Sequence, residues 1–130
     1  MVPVKLLMTP REKLKTIDRD GSVRQSAELM QAHGIGSLLV IKGEDVVGIV
    51  TDTDLARRAM ALGLDPERTP VERIMSAPVL HVDAEASLLD ANDLMAREGV
   101  RHLGVRRDGK LIGLVSVRDL VNFLTKYPRS

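Results

Sequence analysis

The chain has 130 residues, 44% of them hydrophobic, which is enough for one compact domain or for two half-size units that share a core. Nineteen Lys and Arg stand against eighteen Asp and Glu, and Phe123 and Tyr127 are the only aromatics, so neither a basic field nor a base-stacking platform argues for nucleic acid. The absence of cysteine excludes disulfides, thiolate metal sites and a Cys nucleophile, and no long apolar run follows Met1-Val2-Pro3-Val4-Lys5 or occurs elsewhere; a soluble, cytoplasmic protein with no membrane span is expected.

Met8-Thr9-Pro10 opens an irregular segment, and Lys15-Thr16-Ile17 reads as a short strand before the turn residues Asp18, Asp20 and Gly21. Ser22 caps a helix whose apolar positions are Val23, Ala27, Leu29 and Met30, with Gly34 as its terminating glycine. Ser37 to Ile41 and Val46 to Val50 form a hairpin around Gly43-Glu44-Asp45. Thr51 starts a second helix carrying Leu55, Ala56, Ala59 and Met60. A Pro-punctuated linker from Gly63 to Pro70 leads to a short amphipathic turn with Val71, Ile74 and Met75.

The pattern then begins again. Val79 to Val82 is a strand, Ser87 caps a helix with Leu88, Ala91, Leu94 and Met95, and Leu103 to Val105 pairs with Leu111 to Val115 around Asp108-Gly109. Ser116 starts the last helix, with Leu120, Val121 and Leu124 on its apolar face, before a fraying tail at Lys126-Tyr127-Pro128-Arg129-Ser130. An offset of 65 residues aligns Asp18 with Asp83, Ser22 with Ser87, Leu29-Met30 with Leu94-Met95, Gly34 with Gly99, and Gly48, Val50 and Asp54 with Gly113, Val115 and Asp119. Agreement in order and spacing with almost no gaps marks an internal duplication. The sequence repeats run over 1–62 and 75–130, joined by a linker with a short helix at 63–74.

Each copy closes on the same motif, Gly48-Ile49-Val50-Thr51-Asp52-Thr53-Asp54 and Gly113-Leu114-Val115-Ser116-Val117-Arg118-Asp119. A strand runs into a hydroxyl residue with Asp three positions on, the pattern of a capping box at the start of a helix. Free N–H groups and the helix dipole make such a turn receptive to anions.

The duplicated β-α-β-β-α order and the closing motifs resemble the tandem cystathionine-β-synthase-type (CBS) domain. So do the Met8-Thr9 and Met75-Ser76 openings and the run from Glu98 to Leu103. Leu39 and Gly104 depart from it, at a place where that family often carries proline. The resemblance implies an α+β fold with two repeats packed about a pseudo-twofold axis, and clefts that take an adenosine-containing ligand such as AMP, ADP or ATP. It further implies that Asp54 and Asp119 accept ribose hydroxyls while Thr51 and Ser116 offer hydroxyls. The clefts are then composite. Thr9, Lys15 and Thr16, with Gly36, Arg101, Leu114, Ser116 and Arg118, surround Asp119. Ala77, Leu80 and His81, with Ile49, Thr51 and Thr53, surround Asp54. Arg101 and Gly36 hold equivalent positions before each middle strand, where the family often places phosphate-facing groups. With Arg101 and Arg118 cationic and Asp52 and Thr53 not, the Asp119 cleft is the favoured one.

Simpler roles compete with these: Asp54 and Asp119 as helix caps worth about 1 kcal/mol each, and Arg101 and Arg118 as solvated surface cations. The methionines read as core filling. His33, His81 and His102 lack metal-ligand spacing, no calcium-loop pattern occurs, and any Mg²⁺ would arrive with a nucleotide. Without an activated nucleophile, a Walker loop or a dinucleotide fingerprint, a regulatory binding module is expected rather than an enzyme. Its partners would be the nucleotide, a second copy in a homodimer and a protein effector. The competing expectation is a constitutive dimerisation scaffold that binds no ligand.

Overall fold

A computed structural model describes residues 2–126. The chain divides into two compact units, one formed by Lys15–Val79 and the other by the chain up to Leu14 together with Leu80 onward. The units therefore do not follow the sequence repeats: the first fourteen residues belong with the second repeat.

In the Lys15–Val79 unit, β2 (Thr16–Asp18) runs parallel to β3 (Ser37–Lys42), which pairs antiparallel with β4 (Asp45–Thr51). Between β2 and β3 lies α1 (Val23–His33), started by a full capping box of Ser22 with Gln25 and ended by Gly34 at φ 62°. After β4 a single helical turn, α2 (Asp52–Asp54), continues as a π-helix over Leu55–Met60. The core contains Ile17, Val23, Met30, Leu38, Val40, Val50 and Ala59. Val71 and Ile74, around a 3₁₀ turn at Val71–Arg73, complete it. The segment between the repeats is thus part of this core: Val71 and Val23 are tied by backbone hydrogen bonds to Gly21 and Thr69.

The other unit repeats the plan with β5 (His81–Asp83), α3 (Leu88–Glu98), β6 (His102–Arg107), β7 (Lys110–Ser116) and α4 (Val117–Lys126). Strand β5 is parallel to β6, and β6 is antiparallel to β7. Both hairpins carry an irregularity at the same place, after Val40 and after Val105. Asp108 and Gly109 have φ of 52° and 76°, the pair of positive values that a type I′ hairpin turn requires. Ser87 and Asp90 form the capping box of α3. Val4, Ala84, Ala91, Met95, Leu103, Val105, Val115 and Leu120 make the core.

Three expectations change. Thr9–Pro10 is a short strand, β1, antiparallel to β7 with Thr9 opposite Leu114, giving the order β1-β7-β6-β5. Proline fits there because β1 is an edge strand, where a missing N–H leaves no gap in a ladder. The second helix is largely π rather than α, with Met60 80% exposed instead of in the core. On α4 only Leu120 is buried, while Val121 and Leu124 are 50% and 55% exposed. The tail from Tyr127 lies outside the described residues. No helix among those described is long and apolar enough to cross a membrane.

Candidate functional site

The two closing motifs build the same local geometry. Thr51 and Ser116 sit at the last position of β4 and β7 in extended conformation, where the strand ladder ends and the helix has not begun. Each N-terminal turn needs acceptors for its free N–H groups. Asp119 Oδ2 accepts from the Ser116 N–H at 2.8 Å and from the Ser116 hydroxyl at 3.0 Å, and the Ser116 hydroxyl accepts from the Asp119 N–H at 3.1 Å. The Thr51–Asp54 set matches it at 2.9, 3.2 and 3.2 Å. In both, one carboxylate oxygen is consumed by the cap. What happens to the other oxygen separates the sites.

Asp119 is half-buried, and among the described residues its Oδ1 has no hydrogen-bond or ion-pair partner. Arg118 beside it and Arg101 are both exposed, and among the described residues neither guanidinium is paired. Arg101 is held close to the motif by its backbone, because its carbonyl accepts the Val117 N–H at 3.0 Å. Thr9 lies opposite Leu114 in the ladder. One unit therefore gathers Thr9, Leu114, Ser116, Arg118 and Asp119 on β1, β7 and the start of α4, with Arg101 just before β6.

Asp54 is buried, and its Oδ1 faces Arg58 Nε at 3.6 Å. Arg58 Nη1 also donates to the carbonyls of Ile74 and Met75, each at 3.2 Å. Gly36 donates no side chain where the other copy has Arg101. Its carbonyl accepts the Asp52 N–H, and a Cβ built there would meet the Asp52 carboxylate at 2.9 Å. Ser76 bridges Ile49 through two backbone hydrogen bonds of 3.0 and 2.8 Å, which brings exposed Ala77, whose bond to Pro78 is cis, towards the end of β4. This unit gathers Gly36, Ile49, Thr51, Thr53, Asp54 and Ala77.

Lys15 and Thr16 belong with Gly36 to the unit that holds Asp54, and Leu80 and His81 belong to the unit that holds Asp119. Lys15 and Leu80 play equivalent backbone parts, their carbonyls accepting the N–H groups of Leu39 and Gly104. His81 is exposed on β5.

The closing-motif glycines have a steric cause. A Cβ on Gly48 would lie 2.6 Å from Met75 Sδ and 2.8 Å from the Ser76 carbonyl oxygen, and one on Gly113 would lie 2.5 Å from Met8 Sδ and 2.7 Å from the Thr9 carbonyl oxygen. The Met-Thr and Met-Ser openings and the glycines of the closing motifs are therefore halves of one contact, made twice. Sequence reasoning passed over Arg58, although its signal was legible: Asp54 and Arg58 are four apart, the spacing of helix-face ion pairs.

The CBS-domain family model matches residues 4–61 and again 71–126, and the chain belongs to the CBS-domain family. CBS domain-containing protein YhcV of Bacillus subtilis is 33% identical over 120 residues, covering 92% of this chain and 84% of that protein. The solved structure of a protein with CBS domains from Burkholderia ambifaria superposes with a TM-score of 0.88 at 36% identity, covering 99% of this chain and 96% of that one. The crystal structure of CBSX2 in complex with AMP superposes with a TM-score of 0.80 at 29% identity, covering 99% of this chain and all of that one.

Proposed function

We propose that this chain is a regulatory module that binds an adenosine-containing ligand, of the AMP, ADP or ATP class, at the site built around Asp119. The observation that carries this reading is that, among the described residues, Asp119 Oδ1 is unengaged and the guanidiniums of its chain neighbour Arg118 and of Arg101, whose carbonyl accepts the Val117 N–H, are unpaired. A carboxylate accepts vicinal ribose hydroxyls, whereas phosphate oxygens beside it would be repelled; arginines suit the phosphate end. The AMP complex of the similar CBSX2 supports the ligand class. Lys15, Thr16 and Gly36 are proposed as further ligand contacts. Ala77, Leu80 and His81, with Ile49, Thr51, Thr53 and Asp54, are proposed for a second, weaker site. A divalent cation such as Mg²⁺ would enter with a polyphosphate, since a nucleotide carries its own oxygen ligands.

Binding rather than turnover fits the hydroxyls of Thr51 and Ser116, which donate to the capping carboxylates. Ligand regulates only if it favours one arrangement of the protein over another, and a homodimer and an effector protein are the proposed recipients of that change. Isothermal titration with AMP, ADP and ATP tests the reading: saturable binding that Asp119→Ala abolishes at the tighter site is expected, and no saturation with any of the three would overturn it.

A further inference from the structure

Among the contacts that separate the two copies of the closing motif is one that the duplication does not predict. Arg58 occupies the position that Phe123 holds in the other copy, 65 residues on. Its guanidinium joins three groups: the Asp54 carboxylate, through Nε 3.6 Å from Oδ1, and the carbonyls of Ile74 and Met75, each 3.2 Å from Nη1. Those carbonyls lie in the segment whose next residue, Ser76, is bridged to Ile49 on the strand leading into Thr51. The oxygen of Asp54 that the cap leaves over is thereby the oxygen that Arg58 takes.

We infer that Arg58 is an internal latch that competes with ligand for Asp54 and sets the two sites to different affinities; this rests on the nucleotide reading above. A ribose diol needs the carboxylate oxygen lying outside the capping box. At Asp119 that oxygen is unengaged among the described residues, and the residue in the place of Arg58 carries no charge. At Asp54 the same oxygen faces a guanidinium, so a ligand must first displace the ion pair. The Asp54 side chain is only 10% exposed, which limits solvent screening on its side of the pair, while Arg58 is 50% exposed and can swing out to solvent. A half-exposed pair of this kind is a modest barrier, on the order of a few-fold in affinity. Arg58 thus acts as a positioning residue: the Asp54 site is dormant rather than dead, and opens when the opening segment at Ile74–Ser76 releases the guanidinium.

Amide NMR during AMP titration of the full chain reads both sites separately, through Thr51–Asp54 and Ser116–Asp119. The wild type is expected to fill the Asp119 site first. Arg58→Gln, which keeps a long polar side chain but no charge, is expected to raise AMP affinity at Thr51–Asp54 about three- to tenfold and leave Ser116–Asp119 unchanged. Arg58→Lys, which keeps the charge without the planar fork, is expected to fall between. The same measurements in an Asp119→Ala background isolate the Asp54 site, and unchanged dispersion of the amide spectrum verifies folding. Unchanged or weakened affinity at Asp54 in Arg58→Gln, with Asp119 still responding, overturns the latch alone. Absence of any AMP response at both sites overturns the nucleotide reading and the latch with it.

Discussion

Asp54 and Asp119 perform one structural task equally and a second one unequally. Each closes a capping box, a contribution of about 1 kcal/mol to its helix. Asp54 is also buried and holds Arg58, so removing its carboxylate leaves the Thr51 N–H without its acceptor in a more enclosed place and unfastens Arg58 from the start of the helix. Asp54→Ala is therefore expected to cost about 2 kcal/mol and Asp119→Ala about 1 kcal/mol, measured by urea denaturation. The reverse order would mean that the Arg58 contact adds nothing to the fold. The capping pairs were legible in the sequence because all their partners lie within four residues. Arg58 stands outside the repeat pattern, because the matching position of the second copy is Phe123, and only its spacing of four from Asp54 marks it.

At the scale of elements, the strands and helices read from alternation and capping recur in the structure with boundaries shifted by a residue or two. Ser37–Lys42, for example, extends the expected Ser37 to Ile41 by one. Local pattern sufficed there because a hairpin with a two-residue turn fixes its own register. It failed for β1, whose partner β7 lies more than a hundred residues away and whose proline argues locally against a strand. It also failed for the exposure of Met60, Val121 and Leu124, since periodicity marks an apolar stripe without saying what covers it. The contact between opening segment and closing glycine lends itself to a test. Gly48→Ala and Gly113→Ala are each expected to destabilise by about 1–3 kcal/mol through overpacking. Truncating Met8 in the Gly113→Ala protein is expected to recover little, because the Thr9 carbonyl oxygen at 2.7 Å is backbone and cannot swing aside. Full recovery on denaturation would show that the methionine alone made the clash.

Across the whole molecule, regulation requires that occupancy at one place alter a surface at another, and α4 offers both on one rigid element. Asp119 lies in its first turn, while Val117, Val121 and Leu124, at 37%, 50% and 55% exposure, recur at intervals of four and three and so share a face. If that face is where the proposed homodimer forms, replacing Val121 and Leu124 together by Asp puts charge into an apolar contact and is expected to give a monomer by sedimentation velocity. Because the substituted positions lie outside the capping box of Ser116 and Asp119, the fold of the site should persist, and AMP titration of the monomer then reads the coupling. A shift in affinity of several-fold between dimer and monomer equals, by linkage, the shift in dimerisation that AMP produces. Identical affinities would mean that the nucleotide does not act through this interface, however tightly it binds. A protein that remains dimeric with both aspartates in place would move the interface away from α4.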